Sequence, residues 1–143
     1  NARAVASFLA GHDDASNITY PGLEGSRYQP LVEKYLPGGS GAVFSFDLAG
    51  GREAGQAFIR GVTLWSHLAN VGDAKSLIIH PASTTHRQLS DDELQAAGVG
   101  PGTIRLSVGI EDADDLIWDL EQGFAVVAAA PASGEKPPLV CEI

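Results

Sequence analysis

Arg105 is the residue whose type and setting first invite chemistry. It stands in Gly102-Thr103-Ile104-Arg105-Leu106-Ser107-Val108-Gly109-Ile110-Glu111-Asp112, a single cation in an alternating apolar run that leads into an acidic helix start. Strand alternation places Thr103, Arg105 and Ser107 on one face and Ile104, Leu106 and Val108 on the other. A guanidinium on a rigid strand presents its planar fork to a carboxylate or phosphate. An edge-strand arginine facing water has the same local pattern, and the residues leave both readings open.

Other chemistry-bearing residues are less organised. His12, His67, His80 and His86 form no pair at i, i+2 or i, i+4, and the only cysteine, Cys141, lies close to the C-terminus, so no metal site is expected. No Gly-x-Ser-x-Gly elbow supports a hydrolase triad. Gly38-Gly39-Ser40-Gly41 precedes a strand, whereas phosphate-cradling loops follow one and open a helix, so it reads as a turn. Lys34, Lys75 and Lys136 are the only lysines. Only Lys75, in Asp73-Ala74-Lys75-Ser76, is a candidate Schiff-base amine, and a surface loop lysine is the simpler reading. The run Pro81-Ala82-Ser83-Thr84-Thr85-His86 either lines a pocket or makes a turn with local side-chain bonds.

These residues need elements to hold them. Helical spacing predicts helices over Arg3–Ala10, Gln29–Leu36, about Arg52–Val62 and Asp112 to about Ala129. Ser90 and Glu93 form a capping box that opens a short helix ended by Gly98. Strands are expected at Asn17–Tyr20, Ala42–Leu48, Leu64–Leu68, Ser76–His80 and Ile104–Val108. The connections are too short for most parallel crossovers. The expected fold class is therefore α+β, a mainly antiparallel four- or five-stranded sheet with helices on one side. Ser45, Ser76, Arg105 and Ser107 are placed to face a partner across the other side.

With 143 residues, the chain fits a single domain at 1–130 and an irregular, proline-rich tail at 131–143. Asp112, Asp114 and Asp115 match the positive end of a helix dipole and read as a solvated face. The formal net charge of −9 argues against a nucleic-acid partner, and no apolar window is long enough for a membrane span. A lone cysteine fits a reducing compartment, and a cytoplasmic location is expected. The absence of methionine and a start inside a helical pattern suggest a piece of something longer.

Three segments in order carry a resemblance: Asn70-Val71-Gly72-Asp73-Ala74-Lys75-Ser76-Leu77, Ile79-His80-Pro81-Ala82-Ser83-Thr84-Thr85-His86, and Ile104 to Asp112. Together with Asn17 to Glu24 and Lys34 to Val43, they resemble the C-terminal part of the Cys/Met-metabolism family of pyridoxal-phosphate enzymes, from residue 1 to about Ala129. The Gly-Asp-Ala-Lys-Ser-Leu form resembles the sulfhydrylase branch, which acts on O-acetylhomoserine in methionine biosynthesis, rather than the cystathionine synthases or lyases.

The resemblance implies the small C-terminal, substrate-closing domain of a fold-type I pyridoxal-phosphate enzyme. It implies that Arg105 grips the α-carboxylate of an amino-acid substrate, with Ser76 near that carboxylate and Thr85 lining the pocket. It further implies a homotetrameric parent. The Schiff-base lysine, the aspartate that pairs with the pyridine nitrogen and the phosphate loop are expected in an N-terminal cofactor domain outside this chain. No catalytic or cofactor-binding residue is therefore expected here, no cofactor is expected on the isolated chain, and that chain should be inactive. Alternatives are another family substrate, such as O-succinylhomoserine, cystathionine or methionine, or a stand-alone amino-acid-binding or interaction module.

Overall fold

The computed structural model describes residues 1–130; the predicted tail, with Lys136 and Cys141, lies outside the described residues. Four strands, β1 (Ala15–Ser16), β2 (Val43–Leu48), β3 (Leu77–Ile79) and β4 (Thr103–Ser107), form one sheet in the order β1-β2-β4-β3. Every neighbouring pair is antiparallel. Five α-helices accompany them: α1 (Ala2–Ala10), α2 (Gln29–Tyr35), α3 (Gly51–Gly61), α4 (Asp91–Ala96) and α5 (Ala113–Ala129). The expected α+β class holds.

Alternation builds the core. In β2, Phe44, Phe46 and Leu48 are buried while Val43, Ser45 and Asp47 are only partly covered. Phe44 pairs with Leu106 and Phe46 with Ile104, and Ile78 of β3 joins the same face. Against this face pack Val5, Ala6 and Leu9 of α1, Ala54 and Phe58 of α3, and Leu116, Leu120 and Phe124 of α5. Burying each large apolar side chain contributes about 1.5–3 kcal/mol, so this layer dominates the stability of the domain. Phe124 meets Phe58 edge-on at 4.9 Å, the tilted geometry that aromatic quadrupoles favour. Helices α3 and α5 approach so closely that a Cβ on Gly61 would fall 2.7 Å from the Gly123 Cα.

Three expected elements differ. The strand expected at Asn17–Tyr20 is instead the shorter β1, because Asn17 adopts a left-handed conformation with φ of 50° and turns the chain. Thr19 still hydrogen-bonds the backbone of Ser45, but as a loop. Leu64–Leu68 is not a strand: only Ser66 makes a bridge, parallel to Leu77. The amides of Thr63, Leu64 and Trp65 at its start donate to the Asp119 carboxylate instead. Helix α2 forms where its spacing predicts, but none of its residues is buried, and Leu31 and Tyr35 are exposed.

Candidate functional site

Strand β4 lies between β2 and β3, so Arg105 is on an inner strand, which overturns the edge-strand reading. It pairs with Ser45 on one side and Ile79 on the other, on the face opposite the helical core. The side chain is half-buried, and its Nη2 donates to the Asn70 carbonyl at 3.3 Å. The other guanidinium donors make no hydrogen bond among the described residues. Arginine stays charged under all ordinary conditions, so the geometry offers a fixed cation with unsatisfied donors to an anionic ligand.

Ser76 is fully buried at the entry to β3. Its hydroxyl donates to Glu111 Oε2 at 2.8 Å and accepts from the Gly109 amide at 2.8 Å, while its own amide donates to Glu111 Oε1 at 2.9 Å. Burial alone would raise the Glu111 pKa, but the bonds from the Ser76 amide and hydroxyl, aided by Lys75, hold it below the usual glutamate value. Ser76 thus ties β3 to the segment that leaves β4, close to the ladder that carries Arg105. Thr85 lies beyond the other end of β3, exposed, with its hydroxyl 2.8 Å from His86 Nδ1. The three residues flank β3 without hydrogen-bonding one another.

Several structural roles escaped the sequence reading. Glu111 looked like part of the acidic helix start, yet it organises Ser76. Asp112, expected in the first turn of α5 on a solvated face, is exposed but stands one residue earlier as the N-cap, accepting from the Asp114 amide. Asp119 is different, being wholly buried on the inner stripe of α5. Its carboxylate accepts from the amides of Thr63, Leu64 and Trp65 at 2.8–3.2 Å, which explains why that segment is no strand. The signal was its spacing, one position before Leu120 and three after Leu116.

His80 closes β3 from within. Its ring is fully buried, with Nε2 2.7 Å from the Pro101 carbonyl and Nδ1 2.9 Å from the Ser83 hydroxyl. A carbonyl only accepts, so Nε2 carries the proton and Nδ1 accepts from Ser83. Desolvation lowers the His80 pKa below 6.5, the Pro101 bond partly opposes this, and the Arg52 charge adds to the lowering. The unfolded chain therefore takes up a proton first as pH falls. Stability from neutral His80 is complete above about pH 6.5 and is lost as pH drops towards the lowered native value. Urea midpoints from pH 7.5 to 5 should fall below about pH 6.5 in the parent sequence and fall less in His80→Gln. Equal pH slopes would refute this assignment.

The described residues do not make a cradle for pyridoxal phosphate. Lys34 and Lys75 are both exposed, and Lys34 lies over the Tyr35 ring, whereas an aldehyde-capturing amine needs desolvation. Gly38–Gly41 leads into β2 rather than opening a helix.

A family model for the Cys/Met metabolism PLP-dependent enzymes matches residues 1–125. The O-acetyl-L-homoserine sulfhydrylase of Leptospira meyeri is 50% identical over 125 residues, which cover 87% of this chain and 28% of that protein. An L-methionine gamma-lyase of Fusobacterium nucleatum subsp. polymorphum is 42% identical over 87% of this chain and 31% of its own length. Among solved structures, the cystathionine gamma synthase of Xanthomonas oryzae pv. oryzae, in complex with aminoacrylate and cysteine, superposes with a TM-score of 0.76 at 38% identity, covering 90% of this chain and 33% of that one. The chain thus spans about a third or less of the length of the relatives it matches. On a match over most of its residues, the chain belongs to the Cys/Met metabolism PLP-dependent enzymes.

Proposed function

We propose that this chain is the C-terminal, substrate-closing domain of an O-acetylhomoserine sulfhydrylase, which makes homocysteine and acetate from O-acetylhomoserine and sulfide. The observation that carries the reading is Arg105: a half-buried guanidinium on an inner strand, with open donors on the face away from the helical core. A bidentate, charge-assisted contact to the α-carboxylate orients the amino acid and holds its reacting carbons in register. Ser76 keeps the neighbouring Gly109–Glu111 segment in place, and Thr85 lines the pocket.

Pyridoxal phosphate, held by the N-terminal part of the whole protein, supplies the electron sink for the bond changes. The domain supplies position and charge. The sulfhydrylase branch is favoured because identity to the Leptospira meyeri sulfhydrylase, 50%, exceeds the 42% shared with the methionine gamma-lyase. The whole protein is proposed to be a cytoplasmic homotetramer.

The test is a substrate panel on the purified full-length enzyme: O-acetylhomoserine with sulfide, O-succinylhomoserine with sulfide, O-acetylhomoserine with cysteine, and methionine alone. The first pair is expected to give the highest kcat/KM, with homocysteine as product. The 143-residue chain alone is expected to be inert throughout. A preference for γ-elimination of methionine, or for cysteine as acceptor, would move the protein to another branch.

A further inference from the structure

The loop that carries Thr85 is pinned by one guanidinium. Arg52 of α3 donates through Nη1 to the Ala82 carbonyl and through Nη2 to the Leu89 carbonyl at 3.3 Å and to Asp91 Oδ1 at 2.7 Å. Both ends of the loop Ala82–Leu89 are thus tied to a single side chain. Between those ends the chain is a succession of turns, with bonds from Thr84 and His86 amides to the Pro81 carbonyl and from the Leu89 amide to the His86 carbonyl. Such a loop has little regular structure of its own, and fixing both ends determines where its tip lies.

Arg52 is also poorly placed by local rules. It sits in the first turn of α3, directly after Gly51, where the positive end of the helix dipole disfavours a cation. Its two bonds to the loop and its ion pair with Asp91 of α4 offset that cost. Three residues later, Gly55 faces His80, and a Cβ there would lie 2.4 Å from the imidazole Nε2. The first two turns of α3 therefore hold the loop twice, by packing on His80 at its root and by the guanidinium across its ends.

We propose that Arg52 is a positioning residue that fixes the Ala82–Leu89 loop, and with it Thr85, against the side-chain end of the amino-acid substrate. This rests on the proposed function above, in which Thr85 lines that pocket. Arg52 touches no reacting atom. It acts on which γ-substituent fits, and Arg105 on whether the carboxylate is held.

The experiment uses the full-length enzyme as Arg52→Ala and Arg52→Lys, with Ala6→Gly in α1 as a control that lowers stability far from the loop. In Arg52→Ala, amide exchange of residues 83–89 should quicken by about tenfold or more while that of β4 stays unchanged. KM for the amino-acid substrate should rise by about tenfold with kcat little altered, and the kcat/KM ratio of O-acetylhomoserine to O-succinylhomoserine should shift. Arg52→Lys should restore only part of each change, because one ammonium cannot reach two carbonyls and a carboxylate together. Ala6→Gly should lower Tm without moving the ratio. An unchanged loop exchange, an unchanged ratio, or the same changes in Ala6→Gly would each overturn the proposal. If the wild-type enzyme prefers cystathionine or methionine, the proposed function fails separately. The loop exchange and the ratio between its two best substrates then decide the role of Arg52.

Discussion

Replacing Arg105 by alanine in the full-length enzyme is expected to lower kcat/KM for the amino-acid substrate by about 30-fold to several thousand-fold. That corresponds to roughly 2–5 kcal/mol, the range for removing one partner of a hydrogen-bonded charge pair that becomes desolvated on binding. The domain itself should tolerate the change. In the free chain the guanidinium makes one 3.3 Å bond, to the Asn70 carbonyl, so the stability loss should stay within about 1 kcal/mol. Arg105→Lys should recover little, since a point charge on a flexible stem cannot form two parallel bonds to a carboxylate. Steady-state kinetics beside urea denaturation separates the two effects. An unchanged kcat/KM, or a loss no larger than the folded fraction explains, would overturn the proposed contact between Arg105 and the substrate.

The largest structural effect is expected at Asp119. Its alanine variant leaves the amides of Thr63, Leu64 and Trp65 and the Thr63 hydroxyl without their acceptor. The Trp65 bond is buried and those of Thr63 and Leu64 only partly so; an unsatisfied buried donor costs about 1–3 kcal/mol, and access of water to the partly covered donors keeps the expected total loss to about 3–5 kcal/mol. A domain of this size has only some 5–15 kcal/mol in hand, so the urea midpoint should fall sharply. Asp119→Asn should lose about half as much, because its amide keeps one acceptor oxygen and turns an NH2 group towards the donors. Loss below about 1 kcal/mol in Asp119→Ala would show that the loop finds other acceptors. The clamp matters to the site because the same segment continues to Ser66, which bridges to Leu77, and then to Asn70, which contacts Arg105.

Period-two patterning made β2 and β4 legible, since a one-residue slip would expose Phe44, Phe46, Ile104 and Leu106 together. The α4 capping box was equally legible: Ser90 and Glu93 satisfy each other's backbone within one turn, and the structure shows both bonds. Leu64–Leu68 misled because its β-like composition competes with a carboxylate distant in sequence. Local propensity carries no information about Asp119, which reaches those amides from another helix. Ser76 was singled out by resemblance, but its partners at Gly109 and Glu111 arrive only through the pairing of β3 with β4.

By itself, the sequence determined which face of its strand Arg105 occupies, because side-chain alternation is a property of the backbone. It also determined the α+β class and the family, through motifs read in order. Only the tertiary structure decided that β4 is an inner strand, that Ser76 answers to Glu111, and that Arg52 holds the loop bearing Thr85. Each of these depends on which distant segments pair across the sheet or pack against a helix, and that choice is made by burial of the whole apolar face rather than by any local run of residues.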